Sequence, residues 1–173
     1  MELAKELDGP VLDFGCGRGA LVAELRRAKI EAYGLELESE VIKKSVPAEL
    51  SDLITLYDGS LPSPFADKRF RSVVCSEVLE HIPNYLAAIE DIARLASEKV
   101  LFTVPDASAI PLGFRHGSVP WHLMEATHVN FFNQESLGHL LKPYFSKVEF
   151  GRIGLLRLND SSYYVSLAAM CAK

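Results

Sequence analysis

The chain has 173 residues, 49% hydrophobic and 24% charged, which is typical of a folded domain with an apolar core and excludes a disordered chain. The net charge of -5 and the pI near 5.5 disfavour non-specific binding to nucleic acid. No apolar run approaches the roughly 20 residues that span a bilayer, and the acidic first ten residues differ from a signal peptide. Three cysteines without paired spacing favour a reducing compartment. We therefore expect a cytoplasmic protein with a small-molecule substrate and no membrane association.

Short apolar runs alternate with helical periods along the chain, which is typical of a largely parallel sheet covered by helices. The predicted strands are Pro10–Phe14, Glu31–Glu36, Leu53–Tyr57, Ser72–Ser76, Lys99–Val104, Lys147–Phe150 and Ser162–Cys171. The predicted helices are Ala20–Ala28, Ser39–Val46, Asn84–Ala96 and Gln134–Leu141. In the third of these helices, Leu86 and Ile89 are expected on the buried side. The sequence therefore predicts an α/β fold with seven strands.

Residues 105–132 show no regular period, and an irregular segment of this length in a compact domain is usually a lid or a binding segment. The segment combines aromatic and basic side chains that suit an aromatic or acidic acceptor, or that anchor the loop by packing. These residues are Phe114, Arg115, His116, Trp121 and His122. We expect substrate contacts in this segment. His139, in a predicted helix, is expected to be exposed.

A glycine-rich turn follows the first predicted strand, with Gly15, Gly17 and Gly19 leading into a helix. Such a turn lets the backbone approach a ligand closely, so we expect a nucleotide-like ligand at this point. The run, which includes Cys16, also satisfies the G-x-G-x-x-G/A dinucleotide pattern, and Glu36 lies near the distance expected for a ribose-binding acid. The glycines alone therefore leave the ligand open.

Asp13, two residues before the first glycine, distinguishes between the two kinds of ligand. A carboxylate at this position suits the ammonium group of a methionine moiety and is unfavourable beside a pyrophosphate. The charge of Asp13 therefore favours a sulfonium cofactor over a dinucleotide.

The segment Val11–Gly19 resembles motif I of the class I S-adenosylmethionine-dependent methyltransferases. Glu36 stands where that family has the acid that accepts both ribose hydroxyls, and a carboxylate suits a vicinal diol. Asp58, followed by Gly59 and Ser60, resembles the third-strand acid that contacts the adenine amino group. The resemblance implies S-adenosylmethionine as the cofactor.

The resemblance covers nearly the whole chain and implies both fold and domain organisation. It implies a Rossmann-like three-layer sandwich with a seven-stranded, mostly parallel sheet and an antiparallel terminal strand. One domain over residues 1–173 would bind the cofactor through residues 10–81 and contact the substrate through residues 105–132. Because the chain begins almost at the first strand, we expect the helices that precede this strand in the family to be missing or reduced to Met1–Leu7.

The segment Glu77–His81 follows the fourth predicted strand at its carboxyl end, where open α/β sheets bind their ligands. It resembles the Glu-Val-Leu-Glu-His motif of several methyltransferase groups, including ubiquinone-pathway O-methyltransferases and small-RNA 3′-end 2′-O-methyltransferases. In those groups two Glu and two His can bind a divalent ion, which would acidify a substrate hydroxyl. The residues that match this set are Glu77, Glu80, His81 and His128.

The same motif also occurs in methyltransferases without a known metal, so metal binding stays open. In those members the first Glu, here Glu77, helps to seat the cofactor. The His, here His81, lies beside the reacting methyl group as a candidate general base. The resemblance therefore implies methyl transfer with His81 as the catalytic residue, and a small-molecule hydroxyl is the favoured acceptor.

Three alternatives remain at this point. An RNA 3′-end 2′-O-methyltransferase fits the Glu and His set but is disfavoured by the acidic pI. A non-catalytic domain that binds the cofactor and scaffolds a partner fits the short N-terminal region. A nicotinamide dehydrogenase is disfavoured by Asp13, Asp58 and the segment Glu77–His81.

Overall fold

The computed structural model describes residues 3–115, 117–158 and 161–173 and shows one seven-stranded sheet flanked by helices. The strands are β1 (Val11–Phe14), β2 (Ala32–Leu37), β3 (Ile54–Tyr57), β4 (Phe70–Ser76), β5 (Ala96–Pro105), β6 (Lys147–Leu158) and β7 (Ser161–Ala172). The α-helices are α1 (Ala20–Arg27), α2 (Glu40–Ser45), α3 (Tyr85–Leu95), α4 (Ile110–Arg115) and α5 (Gln134–Leu141). Within the described ranges, none of these helices has the length and apolar character needed to cross a membrane.

The strand order β3-β2-β1-β4-β5-β7-β6 places β1 at the centre of a topological switch. The chain runs outward from β1 to β3 and then returns to the other side of β1 with β4 and β5, all as parallel pairs. Strand β7 runs antiparallel to both of its neighbours. The predicted Rossmann-like sheet with an antiparallel terminal strand is confirmed. Such a sheet leaves a crevice at the carboxyl ends of β1 and β4.

Alternation along β1 divides its side chains between the two faces of the sheet. Val11 packs in the core layer that contains Val22 of α1, whereas Leu12 and Phe14 pack in the opposite layer. By the same alternation, Asp13 lies on the same face of the sheet as Val11. Strand β1 therefore buries one carboxylate close to the end of the strand.

Side-chain caps fix where the helices begin. The side chain of Ser39 accepts a hydrogen bond from the N–H of Ile42 at 3.1 Å, which caps α2. Asn133 and Ser136 form a reciprocal capping box at the start of α5. Caps of this kind satisfy N–H groups that have no partner within the helix, and they explain why these predicted helices form.

The C-terminal hairpin differs from the prediction. Strand β6 continues to Leu158 instead of ending at Phe150, because it pairs with β7 along its whole length. Strand β5 extends one residue past its predicted end at Val104, and Pro105 pairs with Ser166 of β7. A proline lacks one backbone donor but is tolerated at the end of a strand.

Two further predictions need correction. Leu86 is 52% exposed rather than buried, because the apolar stripe of α3 is centred on Ala88 and Ile92 and Leu86 lies at its edge. Residues 105–132 are not uniformly irregular, since they contain α4 and two short 3₁₀ turns. His116 and the side chain of Trp121 lie outside the described residues.

Candidate functional site

A cavity of about 450 Å³ opens at the carboxyl ends of β1 to β4. This volume falls within the usual range for small-molecule sites, about 300–1,000 Å³. The lining residues predicted from sequence are Gly15, Glu36, Gly59, Glu77 and His81. The fold therefore brings together side chains that are more than sixty positions apart in the sequence.

A second cavity, of about 730 Å³, meets the first at Gly15, which lines both. Its lining includes Asp13 and Cys16 from the first strand and turn, and Ser76 and Thr103 from the ends of β4 and β5. Asp13 thus lies on one side of the glycine turn and Glu36 on the other. An elongated ligand lying across the turn would contact both carboxyl groups.

Gly15 allows the turn after β4 to pack closely against the turn after β1. Its φ is 80°, and a Cβ atom at this position would lie only 2.5 Å from Cγ2 of Val78. Any larger residue would be strained in conformation and would clash with the turn after β4. The turn after β1 and the turn after β4 are therefore in direct contact.

The Glu36 carboxylate is held by two backbone donors. The N–H of Gly17 donates to Oε2 at 2.6 Å, and the N–H of Leu37 donates to Oε1 at 2.7 Å. The first of these bonds links the end of β2 to the glycine turn. Glu36 is thereby fixed at the wall of the first cavity.

The Asp13 carboxyl group is buried, with 5% of the residue exposed. Burial, with a smaller contribution from the negative charge of Glu36, raises the pKa of Asp13 to about 7. A buried carboxyl with this pKa favours a positively charged ligand group, because such a group would compensate the cost of ionisation.

Asp58 lies at the exposed rim of the first cavity. Its Oδ1 accepts a hydrogen bond from the N–H of Ser60 at 2.9 Å, and the Ser60 hydrogen bonds lower the pKa of Asp58. Gly59 lines the cavity itself, with Tyr57 as a neighbouring aromatic wall. The predicted Asp58–Ser60 segment therefore borders the same space as Glu36.

Glu77 has a backbone conformation that is rare for residues other than glycine, with φ of 53°. Its Oε2 accepts a hydrogen bond from Ser166 at 3.4 Å, and Oε1 is buried without a hydrogen bond among the described residues. Burial raises the pKa of Glu77. A strained backbone that carries a buried carboxylate is typical of a binding site.

Three of the four candidate metal ligands converge. One potential ligand atom from each of Glu80, His81 and His128 lies within 4.8 Å of the other two. Glu77 is outside this group. Both carboxylate oxygens of Glu80 are buried and make no hydrogen bond to the described residues, and burial raises the pKa of Glu80 to about 7.

A loop anchored by Asn130 carries His128 to this group. The Asn130 side chain donates to the carbonyls of Leu79 and Ile82 at 2.9 and 2.8 Å. The N–H groups of Val129 and Asn130 donate to the carbonyl of Glu80. As a result, the His81 and His128 rings meet edge to face, with centroids 4.7 Å apart.

Sequence reasoning missed the roles of Asn130, Thr103 and Ser166. Asn130 stands two residues after His128, and only its bonds across about fifty residues reveal that it positions that histidine. Thr103 lies near the end of β5 and lines the second cavity, whereas Ser166 lies in the middle of β7 and donates to Glu77. A polar residue at a strand end facing the sheet crevice was an available signal for Thr103 but not for Ser166.

A family profile described as a methyltransferase domain matches residues 1–144. A ubiquinone biosynthesis O-methyltransferase from Vibrio cholerae is 32% identical over 106 residues, which cover 55% of this chain and 41% of that protein. The protein of the same name from Alkalilimnicola ehrlichii is 30% identical over 89 residues, which cover 49% of this chain and 36% of that protein. The chain thus spans less than half the length of these curated relatives.

A solved structure with a similar fold is a SAM-dependent methyltransferase from Archaeoglobus fulgidus, with a TM-score of 0.79 and 16% identity over 98% of this chain and 87% of that one. Magnesium protoporphyrin IX methyltransferase from Synechocystis with bound SAH has a TM-score of 0.67 and 18% identity, and the match covers 96% of this chain and 74% of that one. These similarities concern the fold. Because the family profile spans most of the chain and the sheet order agrees with it, the chain belongs to the methyltransferase-domain family of class I S-adenosylmethionine-dependent enzymes.

Proposed function

We propose that the chain transfers a methyl group from S-adenosylmethionine to the hydroxyl of a small molecule. The observation that carries this proposal is the convergence of Glu36, Glu77 and His81 on one cavity beside the glycine turn. We treat residues 1–173 as one domain, with residues 10–81 as the cofactor-binding part. The named relatives act in small-molecule biosynthesis by their names, which supports a small acceptor.

Glu36 is proposed to hold the ribose of the cofactor. A carboxylate has about four lone-pair sites, and the two backbone N–H groups on Glu36 occupy only part of that capacity. The remaining sites suit two vicinal hydroxyls. Beyond them, Tyr57 and Gly59 form the wall for the adenine, and Asp58 and Ser60 at the rim are placed for its amino group.

Asp13 is proposed to face the ammonium group at the methionine end. It lines the cavity on the other side of Gly15 from Glu36, so a cofactor lying across the turn would contact both acids. The turn that contains Cys16, Gly17 and Gly19 lets the backbone approach the ligand closely. Glu77, with one buried oxygen free of hydrogen bonds to the described residues, is placed near the centre of the cofactor.

S-adenosylmethionine supplies an electrophilic methyl group: the acceptor oxygen bonds to the methyl carbon while the sulfur–methyl bond breaks and its electron pair stays on sulfur. The protein must align the acceptor and remove its proton. His81 lines the cavity, and its Nδ1 lies 3.3 Å from the carbonyl of Thr127. Donation from Nδ1 leaves Nε2 as a base for the hydroxyl proton.

The alternative to His81 as the base is a divalent ion bound by Glu80, His81 and His128. The two roles exclude each other, because Nε2 of His81 either takes the hydroxyl proton or binds the ion. The donor set fits: a buried carboxylate without a hydrogen bond among the described residues stands beside two imidazoles. Each imidazole also has a backbone carbonyl partner, Thr127 for His81 and His122 for His128. Such partners fix the tautomer of metal-binding histidines. The ion would acidify a bound hydroxyl.

The affinity for S-adenosylhomocysteine is expected to depend on pH through Asp13. Below pH 7 the free carboxyl is mainly protonated, since its pKa is about 7, and the cofactor ammonium favours the ionised form. Binding therefore releases a proton, and affinity rises with pH by up to about tenfold per unit before levelling above pH 7. Calorimetric titration from pH 5.5 to 8.5 measures this slope, which Asp13→Asn should remove. An equal slope in the variant contradicts the assignment.

His81→Ala is expected to lower kcat by about 100-fold or more, because the hydroxyl proton loses its acceptor. The assay follows S-adenosylhomocysteine release with a panel of alcohols and phenols. Cofactor affinity should change by less than about twofold, and His139→Ala, on the exposed surface of α5, serves as the control. Turnover at the wild-type rate with normal cofactor binding would remove His81 from the mechanism.

Mn²⁺ binding to the cofactor-free protein tests the metal alternative directly. We expect Glu80→Gln and His128→Ala each to weaken the affinity at least about tenfold, because each removes a direct ligand. His139→Ala should leave the affinity unchanged. Isothermal titration gives the dissociation constants, and no saturable binding in the wild type, or equal binding in all variants, overturns the metal site and leaves His81 as the base.

A further inference from the structure

A separate cavity of about 220 Å³ lies between the 105–132 segment and the C-terminal hairpin. Apolar side chains form most of its wall: Ala109, Ile110, Val119, Pro120, Leu156 and Val165. A cavity of about 150 Å³ lined by aliphatic and aromatic side chains stays dry and binds benzene. The space is therefore large enough for one six-membered ring with a short substituent.

Three polar side chains also line this cavity, namely Ser118, His122 and Tyr163. The Ser118 hydroxyl donates to the carbonyl of Gly113 at 3.1 Å, and Nε2 of His122 lies 3.2 Å from the carbonyl of Val165. A ligand with many hydroxyls or charges would lose its water here without gaining equivalent hydrogen bonds. The chemistry of the wall thus selects an apolar group.

A row of three imidazole rings connects this cavity to the cofactor cavity. His122 lines the apolar cavity and stacks on His128, with ring centroids 5.8 Å apart and planes inclined by 24°. His128 in turn contacts His81 edge to face at 4.7 Å, and His81 lines the cofactor cavity. His128 therefore lies between the two cavities.

The entrance of the apolar cavity is open to solvent and is itself apolar. Val119 and Leu156 line the cavity and are still 55% and 39% exposed. Phe114 and Leu123, from the same segment, are 53% and 43% exposed. Exposed apolar side chains at the edge of a cavity, such as Val119 and Leu156, are typical of a ligand-binding surface.

We propose that this cavity binds a single apolar ring of the methyl acceptor, whose hydroxyl extends past His128 towards His81. The inference rests on the proposed methyltransferase function and adds the class of acceptor: an aromatic or alicyclic ring that carries its hydroxyl on a flexible arm of several atoms. The row of histidines forms the polar path along which the arm lies. Sugars and nucleotides do not fit the apolar wall.

The binding site is tested first without any cofactor, with toluene as the probe and methyl NMR spectra as the readout. Saturable shifts are expected for the methyl groups of Ala109, Val119 and Val165. Val119→Asp should weaken toluene binding at least tenfold, because it places a charge in the wall. Val41→Asp is the matched control, since Val41 is an exposed valine on α2 that does not line the cavity. No saturable shift, or equal weakening in both variants, overturns the proposal.

The acceptor assignment is tested with S-adenosylmethionine and two hydroxyl probes, 4-phenylbutan-1-ol and ethanol. We expect methylated 4-phenylbutan-1-ol to form at least tenfold faster than methylated ethanol, with the advantage lost in Val119→Asp and kept in Val41→Asp. Toluene binding with no preference for 4-phenylbutan-1-ol contradicts the acceptor assignment. A protein that binds toluene but not S-adenosylmethionine instead contradicts the proposed function, so the two failures are distinguishable.

Discussion

The contact between the turns after β1 and β4 is the constraint on which the site depends. With no side chain at Gly15, Val78 can pack directly against the backbone of the first turn. That packing places Glu77 and His81 opposite Glu36, which is itself tied to the first turn through the N–H of Gly17. A larger residue at position 15 would separate the two halves of the sheet crevice. The cavity thus follows from one close approach at the topological switch.

The second constraint is the set of hydrogen bonds made by the Asn130 side chain. They fix the loop of residues 127–130 on the Glu80 turn and bring His128 to His81. The buried Glu80 carboxylate makes no hydrogen bond within the described residues, and leaving such a group without one costs about 1–3 kcal/mol or more. Proteins keep costly arrangements of this kind mainly at functional sites. The same loop links the site to the apolar cavity under the 105–132 segment.

The parts of the protein that local sequence determines could be predicted. The glycine turn between β1 and α1, and Glu36 at the end of β2, follow from strand and turn patterns within a few residues. The position of Asn130 could not be predicted, because its hydrogen-bond partners are about fifty residues away. The length of β6 depended on β7 in the same way, since pairing rather than propensity extends it to Leu158. Leu86 was misplaced because the apolar period does not show where the edge of the buried stripe falls.

The most direct test of the central claim is calorimetric titration of S-adenosylmethionine into the wild type, Glu36→Gln and Glu38→Gln. Glu38 is a matched control, because it is an acid two residues away that pairs with Lys43 and does not line the cavity. We expect saturable binding to the wild type, at least about tenfold weaker binding to Glu36→Gln because hydrogen bonds to a charged group are lost, and no change in Glu38→Gln. No binding to the wild type, or equal binding to all three proteins, would contradict the proposed cofactor site.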